Sequence, residues 1–161
     1  MSVKSVDKDP KKLSLTITAE FGAEVEQVWQ LWADPRNLER WWGPPDYPAT
    51  VVDHTFAPGG RISYYMTSPE GDKHHAYIDV VALDPPHRLD IAEGLAHETG
   101  APNDDMPRNT MVITFEAAGT GTIMTIAVQF PSQAAMEQMM AMGMDEGMTL
   151  AIGQIDAILA S

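Results

Sequence analysis

Cysteine is absent from this 161-residue chain, and basic residues and long apolar runs are scarce. Without cysteine, the protein can form no disulfide, thiolate nucleophile or Cys-ligated zinc site. Ten Lys and Arg residues face 23 Asp and Glu residues, and the net charge of −13 opposes binding to nucleic acids and anionic membranes. No apolar stretch could serve as a signal-peptide core or membrane span, so we expect a soluble cytoplasmic protein without nucleic-acid or membrane partners.

Motifs for several common chemistries are missing as well. The sequence contains no Gly-x-Ser-x-Gly nucleophile turn, no GxGxxG nucleotide turn and no P-loop. Its five histidines show none of the spacings that are typical of metal sites. We therefore expect no metal and no cofactor.

The length is that of one domain, and hydrophobic periodicity begins near residue 13. Residues 1–12 are polar and predict a flexible leader, which leaves residues 13–161 as a single domain. Apolar residues alternate from Leu13 to Phe21, which is typical of a half-buried strand. Two short helices are predicted next, the second starting at Asp34-Pro35.

The remainder of the chain predicts an antiparallel meander followed by one long helix. The predicted strands cover 49–56, 61–67, 75–84, 88–93, 110–116 and 122–130, with turn-forming Gly, Pro and Asp residues between them. Residues 94–109 have no regular period, and we interpret them as a loop that acts as a lid. Residues 132–160 are long enough to cross the sheet as a helix. Strands and helices in this order indicate an α+β protein.

The predicted long helix is rich in methionine and carries a stripe of small residues. Methionine side chains adapt to irregular apolar surfaces, and core filling is their commonest role. Gly143, Gly147 and Ala151 recur every four residues, although glycine destabilises a helix interior. The stripe therefore predicts a close neighbour, which could be another element, a second subunit or a ligand. We favour packing within the molecule.

Four segments together resemble the Hsp90-ATPase-activator-homologue-like branch of the START-like, or SRPBCC, superfamily. They are VWQLWADPRNLERWWGP at 28–44, FAPGGRISYYMTSPEG at 56–71, DPPHRL at 84–89 and MGMDEGMTLAIGQIDAIL at 142–159. The resemblance implies a START/Bet v1-like helix-grip fold. In that fold, a curved antiparallel sheet of six to seven strands surrounds a long C-terminal helix, and two short helices follow the first strand.

The resemblance does not select one function, since the superfamily includes lipid and polyketide binders, aromatase/cyclases and regulators of the Hsp90 chaperone. In the co-chaperones, the equivalent domain follows an N-terminal Hsp90-binding domain, and this chain starts its first predicted strand near residue 13. This difference argues against chaperone activation, which we keep only as an alternative.

Our first hypothesis is a binding protein for a small apolar or aromatic molecule, held in a cavity between the sheet and the C-terminal helix. The candidate lining residues are apolar or aromatic, with a few polar groups: Trp42, His54, Tyr64, Met66, Phe130, Met140, Met144 and Met148.

Two alternatives remain at this point. The first is a cyclase- or dehydratase-like enzyme acting on a hydrophobic carbonyl compound, with His54 or Asp79 as general base near Tyr64 or Tyr77. The second is an interaction module or a chaperone-regulator-like protein. As a module it would be a homodimer or a partner-binding subunit that docks through the tryptophans of residues 32–42 or through the Met-rich helix.

Overall fold

The computed structural model describes residues 3–160, which form eight strands and five helices. The strands are β1 (Val3–Asp9), β2 (Ser14–Phe21), β3 (Ala49–His54), β4 (Arg61–Thr67), β5 (Lys73–Asp84), β6 (Arg88–Leu95), β7 (Asn109–Ala118) and β8 (Gly121–Gln129). The helices are α1 (Val25–Ala33), α2 (Pro35–Trp41), α3 (Gln133–Ala141), α4 (Met144–Ile152) and α5 (Ile155–Leu159).

All eight strands belong to one antiparallel sheet in the order β1-β2-β8-β7-β6-β5-β4-β3. Side chains alternate between the two faces of the sheet, and the apolar ones form its inner face. In β2, Leu15, Ile17 and Ala19 are fully buried, whereas the residues between them are half-buried. Ladder irregularities in β3 and β5 interrupt this regular register. Such bulges bend a strand, and they accompany the curvature of the sheet.

The helix-grip prediction is confirmed, with one strand more than the six to seven expected. The additional strand is β1, which lies where we expected a flexible leader. It pairs with β2, and its Lys8 ammonium forms a 2.9 Å ion pair with Asp145 of α4. Most β1 side chains are exposed, because an edge strand gains its hydrogen bonds from the backbone and needs no apolar pattern. Met1 and Ser2 lie outside the described residues.

The two predicted short helices are present as α1 and α2. The Asp34 carboxylate accepts a hydrogen bond from Arg36 N at 2.9 Å, and Pro35 occupies the first turn of α2. Both helices bury their tryptophans against the inner face of the sheet.

The C-terminal segment differs from the continuous helix that we predicted, because it is divided into α3, α4 and α5. Gly143 has φ +79°, a left-handed conformation that ends the first helical run and precedes α4. The second break lies at Gly153 and Gln154. There the Gln154 amide donates a 2.7 Å hydrogen bond to Gly43 O, which joins this segment to the loop after α2. No helix among residues 3–160 is long and apolar enough to cross a membrane.

Candidate functional site

A cavity of about 670 Å³ lies between the inner face of the sheet and α4. The strands β4 to β7, the end of α2 and the loop before β7 supply its other walls. Its exposed lining residues, which include Tyr47, His74 and Met142, lie where the cavity opens to solvent. The remaining lining is mostly apolar: Trp41, Trp42, Pro44, Met66, Leu95, Ala96, Met106, Met111, Met144, Met148, Ala151 and Ile152.

The small-residue stripe lies along this cavity. Gly143, Gly147 and Ala151 all line it. A Cβ added at Gly147 would meet no atom within 4 Å, and the same holds at Gly143. Our preferred explanation, close packing against another element, is therefore wrong for the two glycines. They border open space, and the absence of their side chains enlarges the cavity.

Packed aromatic rings support one end of the cavity. Trp32, Trp41 and Trp42 contact one another edge to face, with ring centroids 4.9–5.4 Å apart. Trp42 also meets Tyr64 at 6.4 Å, and both residues line the cavity. The Trp41 indole is fixed by its 3.0 Å hydrogen bond to Leu31 O. Such edge-to-face contacts between large buried rings make a rigid wall.

One carboxyl group, that of Glu93, lies within the apolar wall. Its strand alternates Leu89, Ile91 and Glu93 toward the inner face, and Glu93 is flanked by Ile78 on β5 and Asn109 on β7. Burial raises the pKa of Glu93 to about 7, against a smaller opposing effect of the Asn109 amide. The side chain keeps some accessible surface because it borders the cavity.

Further buried polar groups lie next to Glu93, at Asn109, and on the cavity wall, at Tyr64 and Trp42. Burial raises the pKa of Tyr64, the negative charge of Glu93 adds to this effect, and the nearby Trp42 indole opposes it. The Trp42 Nε1–H and the Asn109 Oδ1 are buried and have no hydrogen-bond partner within the described part of the chain. Buried polar atoms are nearly always paired, so these two are exceptions that need an explanation.

The loop that we interpreted as a lid contributes directly to the cavity wall. Ala96, Glu98, Asn103 and Met106 of this loop line the cavity. Backbone hydrogen bonds from Asn103 N to Leu95 O and from Ala96 N to His75 O anchor its first half to the sheet. Movement of the loop as a lid remains a prediction.

Five of the eight predicted lining residues border the cavity: Trp42, Tyr64, Met66, Met144 and Met148. Phe130 is buried in the core, and Met140 packs against the core; neither residue lines the cavity.

His54 is also outside the cavity. A ladder irregularity between Val51 and Asp53 leaves Val52 exposed, so Val52 and His54 do not share a face as the regular period of two predicts. The His54 Nε2 lies 3.1 Å from Trp32 O, and its ring stacks on Phe56. These contacts attach the histidine to α1 rather than to the cavity.

The predicted catalytic residues do not meet at one point. Only Tyr64 lines the cavity. Asp79 forms ion pairs with Arg61 and Arg108, and both guanidinium groups lie over the Tyr77 ring, at 4.7 and 5.7 Å from its centroid. The hydrogen bond from Arg61 lowers the pKa of Asp79, which makes this carboxylate a weak base.

Glu93 is the main site residue that the sequence analysis missed. The signal was present, because β6 was predicted and its alternation of Leu89, Ile91 and Glu93 places the glutamate on the inner face. Asn109 was missed because it begins a strand after an irregular loop. Among residues 3–160 there is no group of three His, Asp or Glu side chains that could hold a metal ion.

Solved structures with the same fold cover almost the whole chain. Protein Ms6760 from Mycobacterium smegmatis is 48% identical, with a TM-score of 0.90 over 98% of this chain and 96% of that one. A protein from Arthrobacter aurescens is 46% identical, with a TM-score of 0.95 over 99% and 92% of the two chains. The AHSA1 protein from Silicibacter pomeroyi shares the fold at 20% identity, with a TM-score of 0.72 over 91% and 97%.

Comparison with families and curated proteins gives two further results. No curated protein matches this chain. The family model described as Activator of Hsp90 ATPase homolog 1-like protein matches residues 22–160, which include α1, α2, α4 and every strand that lines the cavity. The chain therefore belongs to the Activator of Hsp90 ATPase homolog 1-like protein family.

Proposed function

We propose that this protein binds a small hydrophobic molecule in the cavity between the sheet and α4. The observation that carries the proposal is the cavity itself, whose volume of about 670 Å³ lies within the range of small-molecule sites. Its walls combine aromatic and aliphatic side chains with a few polar groups, as such sites usually do.

The composition of the walls also supports a ligand of irregular shape. Six methionines line the cavity: Met66, Met106, Met111, Met142, Met144 and Met148. Their unbranched thioether side chains change rotamer at low cost and can adjust to the surface of a ligand. The packed tryptophans are rigid, so the cavity combines fixed aromatic surface with methionines that can adapt to a ligand.

Gly147 provides the sharpest test, because it lines the cavity and a Cβ added there would meet no atom within 4 Å. We expect 1-N-phenylnaphthylamine, an uncharged fluorescent probe, to bind the protein and gain fluorescence. Gly147→Trp should weaken this binding at least about tenfold, because the indole fills part of the cavity, and Gly147→Leu should have a smaller effect. Fluorescence titration measures both, and urea unfolding verifies that the variants are folded.

The matched control is Leu150→Trp, which adds the same side chain to an exposed position of α4. This variant should bind the probe like the parent protein. Equal weakening by both substitutions, or no probe binding by the parent protein, would contradict the proposal.

The alternative functions receive less support from the geometry. For catalysis, the predicted bases His54 and Asp79 lie outside the cavity. For docking, Trp32, Trp41 and Trp42 are buried and offer no exposed surface to a partner. Single exposed apolar residues, such as Met142 after α3 and Leu150 on α4, are ordinary on protein surfaces and do not by themselves indicate a docking site.

A further inference from the structure

We infer that the molecule bound in the cavity carries a positively charged nitrogen, which pairs with the Glu93 carboxylate while the apolar walls hold the rest of the ligand. This inference rests on the proposed function, because it specifies the chemical class of ligand for the same cavity. Three features of the protein support it: the position of Glu93, the groups around it and the charge of the whole protein.

Glu93 has no positive partner of its own. It lies on the inner face between Ile78 and Asn109, and no Lys, Arg or His side chain of residues 3–160 forms an ion pair with it. The ion pairs that are present connect other carboxylates: those of Glu39, Asp79, Asp90 and Asp145. A carboxylate without a countercharge in an apolar wall is costly. A cationic ligand would supply the missing countercharge.

Among residues 3–160, none of the other titratable groups along the cavity forms an ion pair with Glu93. Lys73, His74 and His75 come from β5, and Glu98 comes from the loop before β7. The Lys73 ammonium lies 4.8 Å from the ring centroid of Tyr65, which alternates with the cavity-lining Tyr64 and so belongs to the opposite face of β4.

Apart from these β5 side chains, the described elements around Glu93 bring no charged group to the cavity. Tyr64 is the titratable group from β4, and Asn109 is the polar neighbour from β7. The cavity-lining residues of α4 are Met144, Gly147, Met148, Ala151 and Ile152, none of which carries a charge. Within the described walls, the Glu93 carboxylate therefore forms no ion pair with any of these bases.

The surroundings suit an ammonium group in two further ways. The unpartnered Asn109 Oδ1 lies on β7 beside Glu93, and Tyr64 lies on β4, one strand beyond β5, where it still feels the charge of Glu93. Both oxygens can accept hydrogen bonds. Trp42 and Tyr64 present aromatic rings to the cavity, and such rings attract cations over their faces. An acidic protein of net charge −13 also attracts cations and repels anions before they reach the cavity.

Three probes with the same naphthalene body test the inference: 2-(aminomethyl)naphthalene, 2-naphthalenemethanol and 2-naphthoate. Isothermal titration calorimetry at about pH 8, where Glu93 is mostly ionised, should show the amine binding at least about tenfold more tightly than the alcohol, and the carboxylate most weakly. At about pH 5.5, where Glu93 is mostly protonated, the preference for the amine should disappear.

Substitution of Glu93 distinguishes a direct contact between its carboxylate and the amine from the electrostatic attraction that the whole acidic protein exerts on a cation. Glu93→Gln keeps the shape of the side chain and should bind amine and alcohol equally at about pH 8. Glu146→Gln removes the same charge from an exposed position of α4 outside the cavity lining and should retain the preference.

The outcomes distinguish the two proposals. Equal binding of the three probes by the parent protein, or loss of the preference in Glu146→Gln, would overturn the charged-nitrogen inference and leave the cavity function intact. Failure of all three probes to bind would overturn the proposed function, and the inference with it.

Discussion

At the scale of single residues, the distinctive feature is an acid in a wall that consists otherwise of apolar and aromatic groups. Glu93 continues the inward alternation of β6, so the fold places it inside without regard to its charge. An inward apolar residue would give a more stable sheet face, since burial of a carboxylate disfavours its ionised form. A carboxylate at this position costs stability near neutral pH. Such a cost is expected where a residue serves binding and not packing.

We predict that Glu93→Gln stabilises the protein at alkaline pH and not at acidic pH. Because the pKa of Glu93 rises from 4.5 to about 7 on folding, the folded state holds a proton that the unfolded state releases in this interval. The stability of the parent protein therefore falls as the pH rises from about 4.5 to 7. Glutamine does not titrate, so the variant should be more stable by about 1–3 kcal/mol at pH 8 and nearly equal at pH 4.5.

Urea unfolding at a series of pH values measures this difference, with Glu146→Gln as the control. That control changes an exposed carboxylate and should follow the parent protein throughout. A constant difference between Glu93→Gln and the parent protein over this pH range would show that the Glu93 carboxyl group is not held in its neutral form by the fold.

At the scale of secondary-structure elements, glycines have opposite roles in the loop after α2 and in α4. A Cβ at Gly43 would lie 2.2 Å from Tyr47 O and 2.7 Å from Ala49 N, so the backbone has no room for a side chain. Gly147 faces open space instead. The first glycine allows close packing of the chain, and the second keeps the cavity large.

We therefore predict stability changes of opposite sign from the same substitution. Gly43→Ala should destabilise the protein by more than about 2 kcal/mol, since fixed backbone atoms would have to move. Gly147→Ala should stabilise it by about 0.5–1 kcal/mol, because alanine is the better helix former and meets no atom. Urea unfolding of both variants provides the comparison. Destabilisation by Gly147→Ala would mean that another element packs against this face of α4.

Element-level features were predictable to different degrees from the sequence. The two short helices and the meander follow from local periodicity and caps such as Asp34-Pro35. The break at Gly143 was not recognised, because a glycine within a helical pattern is compatible with both a continuous helix and a left-handed helix end. Strand β1 was missed because its stability comes from backbone pairing at the sheet edge.

At the scale of the whole molecule, acidic residues dominate the electrostatics. There are 23 acidic residues and 10 basic ones, and the ion pairs present at the surface neutralise only some of this excess. Repulsion among the remaining carboxylates destabilises the compact state, whereas exposed ion pairs contribute little.

We predict that salt stabilises this protein. Raising NaCl from about 0.02 M to 0.5 M shortens the Debye length to a few ångströms and screens the repulsion between carboxylates. The midpoint of urea unfolding near neutral pH should therefore move to higher urea concentration. A decrease of the midpoint would indicate that the ion pairs of Lys8, Arg61 and Arg88 outweigh the general repulsion.

The sequence by itself determined the fold class, the two short helices and the alternation of side chains along the seven strands from β2 to β8. These properties depend on spacing along the chain, which the two periods of strand and helix make visible. Only the tertiary structure decided which inward residues border the cavity, because Tyr64, Glu93 and Gly147 come from separate elements. The ionisation of Glu93 was decided in the same way, since the pKa depends on neighbours brought together by folding.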